Sequence, residues 1–264
     1  NFYSLALDGN GNVYAAGNSW DSLTNNNFIV AKYDPDGNLI WRSIYNGASN
    51  NNDALTKIIV DNSGNLYAIG NTMNGAGTDF TLLKYNTTGS LLWSKIFNGG
   101  NNFDDGADDI TLDILGNIYV CGFTNISTYI GVSIIKKYNQ DGDEIWSKVS
   151  NNIQGEGQRA YGIVVDSSFN VYVAHKAFPN FAWFYLTEKI NSSGNLVWQR
   201  LYTYSEDFYI TPHSIHLDEN EEVYVTGTGS SPIVDGDYFE GYITVKYNSN
   251  GDSLWVAKYH RGYN

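Results

Sequence analysis

The stretch Val60-Asp-Asn-Ser-Gly-Asn-Leu-Tyr67 decides the fold, because related copies of it recur through the chain, at 7–14, 112–119, 165–172 and 217–224. The aspartates of the five copies stand 52 or 53 residues apart: Asp8, Asp61, Asp113, Asp166 and Asp218. A second phrase, Lys32-Tyr-Asp-Pro-Asp-Gly-Asn-Leu-Ile-Trp41, trails the first. Its later copies end at Trp93, Trp146, Trp198 and Trp255. Five repeats therefore account for the chain, and only the fifth carries an insertion.

Each repeat is predicted to form four short strands, called a to d in chain order. In the second repeat these are 55–60, 66–70, 80–85 and 91–97, all rich in β-branched and aromatic residues and bounded by Gly, Asn and Asp. The a–b and c–d links combine an Asp or Asn with a glycine of positive φ, which is hairpin chemistry. A repeat of about 50 residues with four antiparallel strands is typical of a β-propeller blade.

The sequence therefore predicts an all-β fold, a five-bladed β-propeller, as a single domain over residues 1–264. The predicted blades are about 1–50, 51–102, 103–155, 156–207 and 208–264. An open arc of blades would expose strand edges, so the ring is expected to close. Closure is expected by packing of the fifth blade on the first, without a shared strand. The alternative is an arc of a longer array.

The repeated frame carries a family resemblance. Asp-x-x-Gly-Asn-x-Tyr-x-x-Gly, followed by Lys-Tyr-Asn-x-x-Gly-x-Leu-x-Trp, resembles the SBBP-type β-propeller repeat of bacterial secreted and surface proteins and, more loosely, the NHL repeat. The fourth repeat departs from it at Phe169 and His175, and the fifth at Glu221-Glu222. The resemblance implies a propeller that is extracellular or at the cell surface. It implies no particular activity, because propellers host unrelated functions.

Residues that recur in every repeat are expected to hold the blades together. The five tryptophans should pack between neighbouring blades. Five lysines end strand c, and each should make a polar or ionic contact at the base of its blade: Lys32, Lys84, Lys137, Lys189 and Lys246. The single cysteine, Cys121, excludes a disulfide framework and is expected to be an inert core thiol.

Composition excludes two classes of partner. The formal net charge is −13, which argues against nucleic acid, since a phosphate-binding groove needs clustered basic residues. No apolar run approaches the length of a membrane span. No nucleophile elbow, phosphate-binding loop or metalloprotease motif is present, so neither catalysis nor a cofactor is predicted from motifs.

Function is expected on one face of the propeller. The a–b and c–d turns are short and nearly uniform, whereas the b–c and d–a loops at the opposite end are longer and differ in every repeat. Variable loops on a rigid scaffold are the usual location of a site. An aromatic run at 178–185 and an acidic run at 104–109 belong to these loops. Candidate ligand-binding residues on this face are Trp20, Asp79, Asp104, Asp105, Asp108, Trp183, His213, Asp237 and Tyr238.

Rings beside acids and amides favour glycan binding without catalysis, because rings stack on sugars while amides and carboxylates bond hydroxyls. A protein–protein or adhesion scaffold is the first alternative, since Trp and Tyr are enriched at interfaces. A glycosidase or lyase with paired carboxylates is the second. The rings and acids of these loops are also compatible with simple loop packing and solvation.

Calcium is a weaker expectation. Its candidate ligands are Asp104, Asp105, Asp108 and Asp109, because Ca²⁺ takes oxygen ligands. The pairs Asp34/Asp36 and Asp141/Asp143 lack the rest of an EF-hand loop and are explained by turn chemistry. His213 and His216 should point to opposite faces of a strand, which makes them a poor metal pair.

Overall fold

The computed structural model describes residues 1–75, 77–100, 103–127, 130–150, 155–179, 183–203, 209–234 and 237–260. Within them, twenty strands form five antiparallel sheets of four, and neighbours in each sheet follow one another along the chain. This confirms the predicted all-β fold built from propeller blades. The extent of one domain over residues 1–264 stays a prediction. A search of the described residues for helices that could span a membrane finds none.

The strands are numbered in chain order, four to a blade. Blade 1 holds β1 (Phe2–Leu7), β2 (Val13–Asp21), β3 (Asn25–Tyr33) and β4 (Leu39–Tyr45). Blade 2 holds β5 (Asp53–Val60), β6 (Leu66–Met73), β7 (Thr78–Tyr85) and β8 (Leu91–Phe97). Blade 3 holds β9 (Asp105–Leu112), β10 (Ile118–Asn125), β11 (Gly131–Tyr138) and β12 (Glu144–Ser150). Blade 4 holds β13 (Gly155–Val165), β14 (Val171–Pro179), β15 (Phe184–Ile190) and β16 (Leu196–Tyr202). Blade 5 holds β17 (Tyr209–Leu217), β18 (Val223–Val234), β19 (Asp237–Tyr247) and β20 (Ser253–His260).

The core lies between consecutive blades. The first strand of each blade packs on the first three strands of the blade before it, as β5 does on β1, β2 and β3. Each of these junctions holds a cluster of buried apolar side chains. Cys121 lies in the cluster between blades 3 and 4. Burial raises the pKa of its thiol well above the ordinary value, which agrees with an inert core residue.

The a–b turn owes its shape to its aspartate. In blade 2, Oδ1 of Asp61 accepts hydrogen bonds from the backbone N–H groups of Ser63 and Asn65, at 2.9 and 2.8 Å. Its Oδ2 accepts one from the Asn65 amide at 2.9 Å and one from the Tyr67 hydroxyl at 3.2 Å. Gly64 closes the turn with a φ of 79°. The aspartate thus fixes both the turn and the first aromatic ring of strand b.

The same turn persists in blades 4 and 5 without glycine. Phe169 and Glu221 stand at the closing position and adopt φ values of 65° and 60°. This left-handed region is costly for residues with a Cβ. The aspartate hydrogen bonds are retained in both blades, to the backbone and to Tyr172 and Tyr224. These bonds stabilise the turn against the cost of the closing residue.

The recurring lysines contact the same tyrosines. In all five blades the ammonium lies over the strand-b tyrosine ring, 4.7–5.1 Å from its centroid. In three blades it also pairs with the turn aspartate, at 3.2 Å for Lys32, 3.8 Å for Lys189 and 3.7 Å for Lys246. In blade 2 Lys84 donates to the Gln140 carbonyl at 2.8 Å. The predicted polar or ionic contact is thus confirmed in four blades, and the contact common to all five is the one with the aromatic ring.

The tryptophans of blades 1 to 4 pack on the c–d turn of the next blade, as predicted. The indole N–H of Trp41 donates to the carbonyl of Thr87 at 2.9 Å, and that of Trp198 to Ser249 at 3.0 Å. The turn glycine leaves the space that the ring fills: a Cβ on Gly89 would lie 2.6 Å from Trp41.

The expected closure of the ring is not found among the described residues. Consecutive blades meet through their first strands, β1 with β5 and so on to β13 with β17, but no comparable contact joins β17 to β1. A Cβ on Gly37, which closure would place against Trp255, would meet no heavy atom within 4 Å. Leu5 of blade 1 and Trp255 of blade 5 are correspondingly exposed. The expectation of closure by packing was therefore wrong for this part of the chain.

Candidate functional site

The end of the molecule that carries the b–c and d–a connections is called the loop face, and the opposite end the turn face. On the loop face a pocket of about 350 Å³ opens between blades 3 and 4. We call it the loop-face pocket. It is lined by Phe123, Asn125, Gly131, Gly157, Gln158, Arg159, Tyr161, Lys176 and Trp183.

Strand register brings two cations together in this pocket. Arg159 of β13 and Lys176 of β14 are direct partners across the antiparallel pair. The register shifts between Ala160 and Gly162, so that Tyr161 is the extra residue of a bulge. Arg159 and Tyr161 both line the pocket, as expected for residues two apart on one strand, whose side chains share a face.

Arg159 is held by a carboxylate of the preceding blade. Its Nε donates to Oδ2 of Asp108 at 2.8 Å, and its Nη2 donates to Oδ1. The guanidinium also lies over the rings of Phe123 and Tyr161, 4.4 and 5.2 Å from their centroids. Burial acts to lower the pKa of Arg159, but the bonds and charge of Asp108 raise it above the ordinary value. For Asp108, burial raises the pKa and Arg159 opposes that rise.

Lys176 has an aromatic neighbour. Its ammonium lies 4.0 Å from the centroid of the Trp183 ring, and burial lowers the pKa of this lysine. Trp183 also stacks on Phe178, with the ring centroids 4.3 Å apart. Its centroid also lies 6.1 Å from that of Tyr209, so the tryptophan lines the pocket as a ring held by its neighbours.

The acidic run at 104–109 does not gather at one point. Asp104 accepts from the Thr78 N–H at 2.9 Å, and Asp105 from the Gly99 N–H at 2.6 Å. Asp109 pairs with Lys57 and accepts from the Ile163 N–H at 3.1 Å. Together with Asp108 on Arg159, four carboxylates have four separate sets of partners. In the described part of the chain, no group of three or more His, Cys, Asp or Glu side chains is arranged to hold a metal ion. Calcium binding stays a prediction.

The other predicted residues are spread over the face. Asp79 is buried in blade 2 and accepts from the Asn74 amide at 2.6 Å, and its pKa is raised by burial and by Asp105 nearby. Trp20 is 70% exposed at the end of β2 in blade 1. In blade 5, His213 Nε2 lies 2.9 Å from the Thr228 hydroxyl.

Asp237 and Tyr238 belong to β19, but their side chains lie outside the described residues, as do the loop residues Tyr129 and Asp235. Of the predicted set, the structure thus brings Asp108 and Trp183 to the loop-face pocket and leaves Trp20 and His213 in other blades.

Sequence reasoning missed Arg159, Lys176, Tyr161 and Phe123. A signal was available in the repeat itself. Where repeat four has Arg159, repeats two and three have Ala54 and Gly106. Where it has Lys176, the other repeats have Asn18, Asn71, Phe123 and Thr228. Two new cations at loop-face positions of one repeat are what a repeat-by-repeat comparison would single out.

The turn face also has a concavity, although uniform turns were expected to leave little room. It measures about 370 Å³ and lies between the a–b turns of blades 2 and 3. Ile114 and Leu115 line it and are exposed. The backbone N–H groups of its lining residues Ser63 and Leu115 already donate to Asp61 and Asp113, so we place the candidate site on the loop face.

Comparison with known proteins shows the fold alone. No family model and no curated protein matches the chain, so the SBBP resemblance stays a prediction. One similar solved structure is a polysaccharide lyase of family PL25, an ulvan lyase bound to -[GlcA(1-4)Rha3S]-, with a TM-score of 0.56 and 12% identity over 94% of this chain and 70% of that one. Another is an α-L-arabinanase of Penicillium chrysogenum complexed with arabinobiose, with a TM-score of 0.54 and 10% identity over 98% and 92%. Both are β-propellers, and at these identities the likeness concerns architecture.

Proposed function

We propose that this protein binds a glycan in the loop-face pocket. The observation that carries the proposal is the lining: three rings, Phe123, Tyr161 and Trp183, stand beside the amides of Asn125 and Gln158. Rings pack on the apolar faces of sugars, and amides bond their hydroxyls. A volume of about 350 Å³ lies at the small end of ligand pockets, which span roughly 300–1,000 Å³. This suits one or two sugar units of a longer chain.

Two lines of support come from outside the pocket. The lyase and the arabinanase named above are propellers whose structures contain a bound saccharide, so the architecture is compatible with such ligands. The repeat resembles that of secreted and surface proteins, and we place the binding outside the cytoplasm on that ground.

We favour binding without catalysis. Among the described residues that line the pocket there is no Asp or Glu, and Asp108 beside it is engaged by Arg159. Hydrolysis by paired carboxylates needs two of them flanking the bond. A protein-binding scaffold is the alternative that the same rings allow.

A glycan-array screen with a matched pair of variants tests the proposal. Trp183→Ala removes a pocket ring, and Trp20→Ala removes an exposed ring of the same face in blade 1. We expect specific binding that is lost in Trp183→Ala and kept in Trp20→Ala, with both variants folded by circular dichroism. Oligosaccharide length before and after incubation, with and without calcium, reports any cleavage.

Three results would contradict the proposal. If the wild type bound no glycan on the array, a protein-binding scaffold would be favoured. Binding lost only in Trp20→Ala would move the site to blade 1. Shortened oligosaccharides would make the protein an enzyme.

A further inference from the structure

The loop-face pocket contains two cationic side chains, which a neutral sugar would not need for binding. Arg159 and Lys176 lie directly opposite each other across β13 and β14. Like charges at directly opposed positions destabilise an antiparallel pair. The chain has only 15 Lys and Arg in 264 residues and a net charge of −13. Two of its few cations therefore face each other in one pocket of an acidic protein.

Among the residues that the structure describes, a carboxylate neutralises only one of the two. Asp108 bonds Arg159 through Nε and Nη2. Within the described residues, the contact of the Lys176 ammonium is with the Trp183 ring and not with a carboxylate. A partly buried cation without a counter-charge is costly, because burial removes part of its hydration. The described lining of the pocket, taken with Asp108, thus holds one positive charge in excess.

The free donors point to how an anion would be held. The pair with Asp108 occupies the Nε and Nη2 side of the guanidinium and leaves Nη1 with hydrogens to donate. Lys176 supplies three further N–H donors. Asp108 fixes the orientation of the guanidinium and so acts as a positioning residue for this group.

Resting on the proposed function, we infer that the loop-face pocket selects an acidic glycan, whose carboxylate or sulfate group binds between Lys176 and Arg159. The anion supplies the missing negative charge and relieves the repulsion across the strand pair. The rings of Phe123, Tyr161 and Trp183 contact the sugar that carries it. Charge-assisted hydrogen bonds of this kind are stronger than those between neutral groups.

The experiment compares pairs of probes that share a sugar chain and differ in whether it carries an anionic group. Oligogalacturonides are measured against their methyl esters, and sulfated galactan oligosaccharides against the desulfated forms, by isothermal titration calorimetry. A general acidic and neutral glycan array is run beside them. We expect at least one acidic form to bind roughly tenfold or more tightly than its neutral counterpart, with an affinity that falls as salt is raised.

Variants assign the preference to the pocket. Lys176→Gln should abolish the preference, so that the variant binds the acidic and the neutral form of each pair with similar affinity. Lys176→Arg should keep the preference, whereas Lys258→Gln, at an exposed lysine of blade 5, should have no effect. Neutral glycans bound as tightly as acidic ones, or a preference that survives Lys176→Gln, would overturn the inference and leave the proposed function standing. No binding to any glycan would overturn both.

Discussion

One repeat position behaves differently at the start of the chain and in its interior. The residue three places before the turn aspartate is Leu5 in blade 1, and Ile58, Ile110, Ile163 and Ile215 in the later blades. The four isoleucines are 1–6% exposed, whereas Leu5 is 70% exposed. Each isoleucine packs on the sheet of the preceding blade, and blade 1 has no preceding sheet among the described residues.

Blade 5 shows the complementary difference: residues that are buried in earlier blades are exposed here. Tyr242 is 62% exposed, although its counterparts Phe28, Phe80 and Tyr185 are buried. Trp255 is 42% exposed, although Trp198 is buried against blade 5. The same residue type in the same strand is thus buried or exposed according to its neighbour. Stability in such an array is a sum of blade terms and interface terms, and the end blades let the two be separated.

The largest expected contrast is between two tryptophans. Trp198→Ala should cost about 3–5 kcal/mol, because it leaves a cavity between blades 4 and 5 and removes the bond to Ser249. Trp255→Ala should cost about 1 kcal/mol, because much of its surface is already in water. Equilibrium urea unfolding measures both. Equal losses would show that Trp255 is covered in solution, by blade 1 or by another molecule.

Two turn glycines separate the contribution of the blade interface to stability from the backbone cost of a substitution. Gly37 and Gly89 have φ values of 84° and 83°. An alanine at either position should therefore lower the free energy of unfolding by the same amount for its left-handed backbone, about 1–2 kcal/mol. Only the Cβ on Gly89 would also strike a ring, that of Trp41 at 2.6 Å. Gly89→Ala should therefore lose about 1–3 kcal/mol more than Gly37→Ala in the same unfolding experiment. A smaller difference would mean that the Trp41 ring moves aside freely.

The repeat was sufficient to predict the blades, because the spacing of its aspartates and tryptophans sets both hairpins of every sheet. It could not predict which faces are covered, since Leu5 and Ile58 carry the same local signal. The pocket was predicted only through Asp108 and Trp183. Arg159 meets Asp108 across 51 residues, and it lines the pocket beside a bulge at Tyr161 that residue types do not reveal. Long-range register decides such contacts.

The smallest expected contrast tests whether burial of the exposed face of blade 1 contributes to stability. Ile110→Val removes one methylene from a buried contact between blades 2 and 3 and should cost about 0.5–1.5 kcal/mol. Leu5→Val removes the same group from an exposed side chain and should stay within about 0.5 kcal/mol of the wild type. Thermal unfolding at several protein concentrations compares the two. If Leu5→Val cost as much as Ile110→Val, and the cost grew with protein concentration, the face of Leu5 would be buried in an assembly. If the cost were equal but independent of concentration, blade 5 would cover it within one molecule.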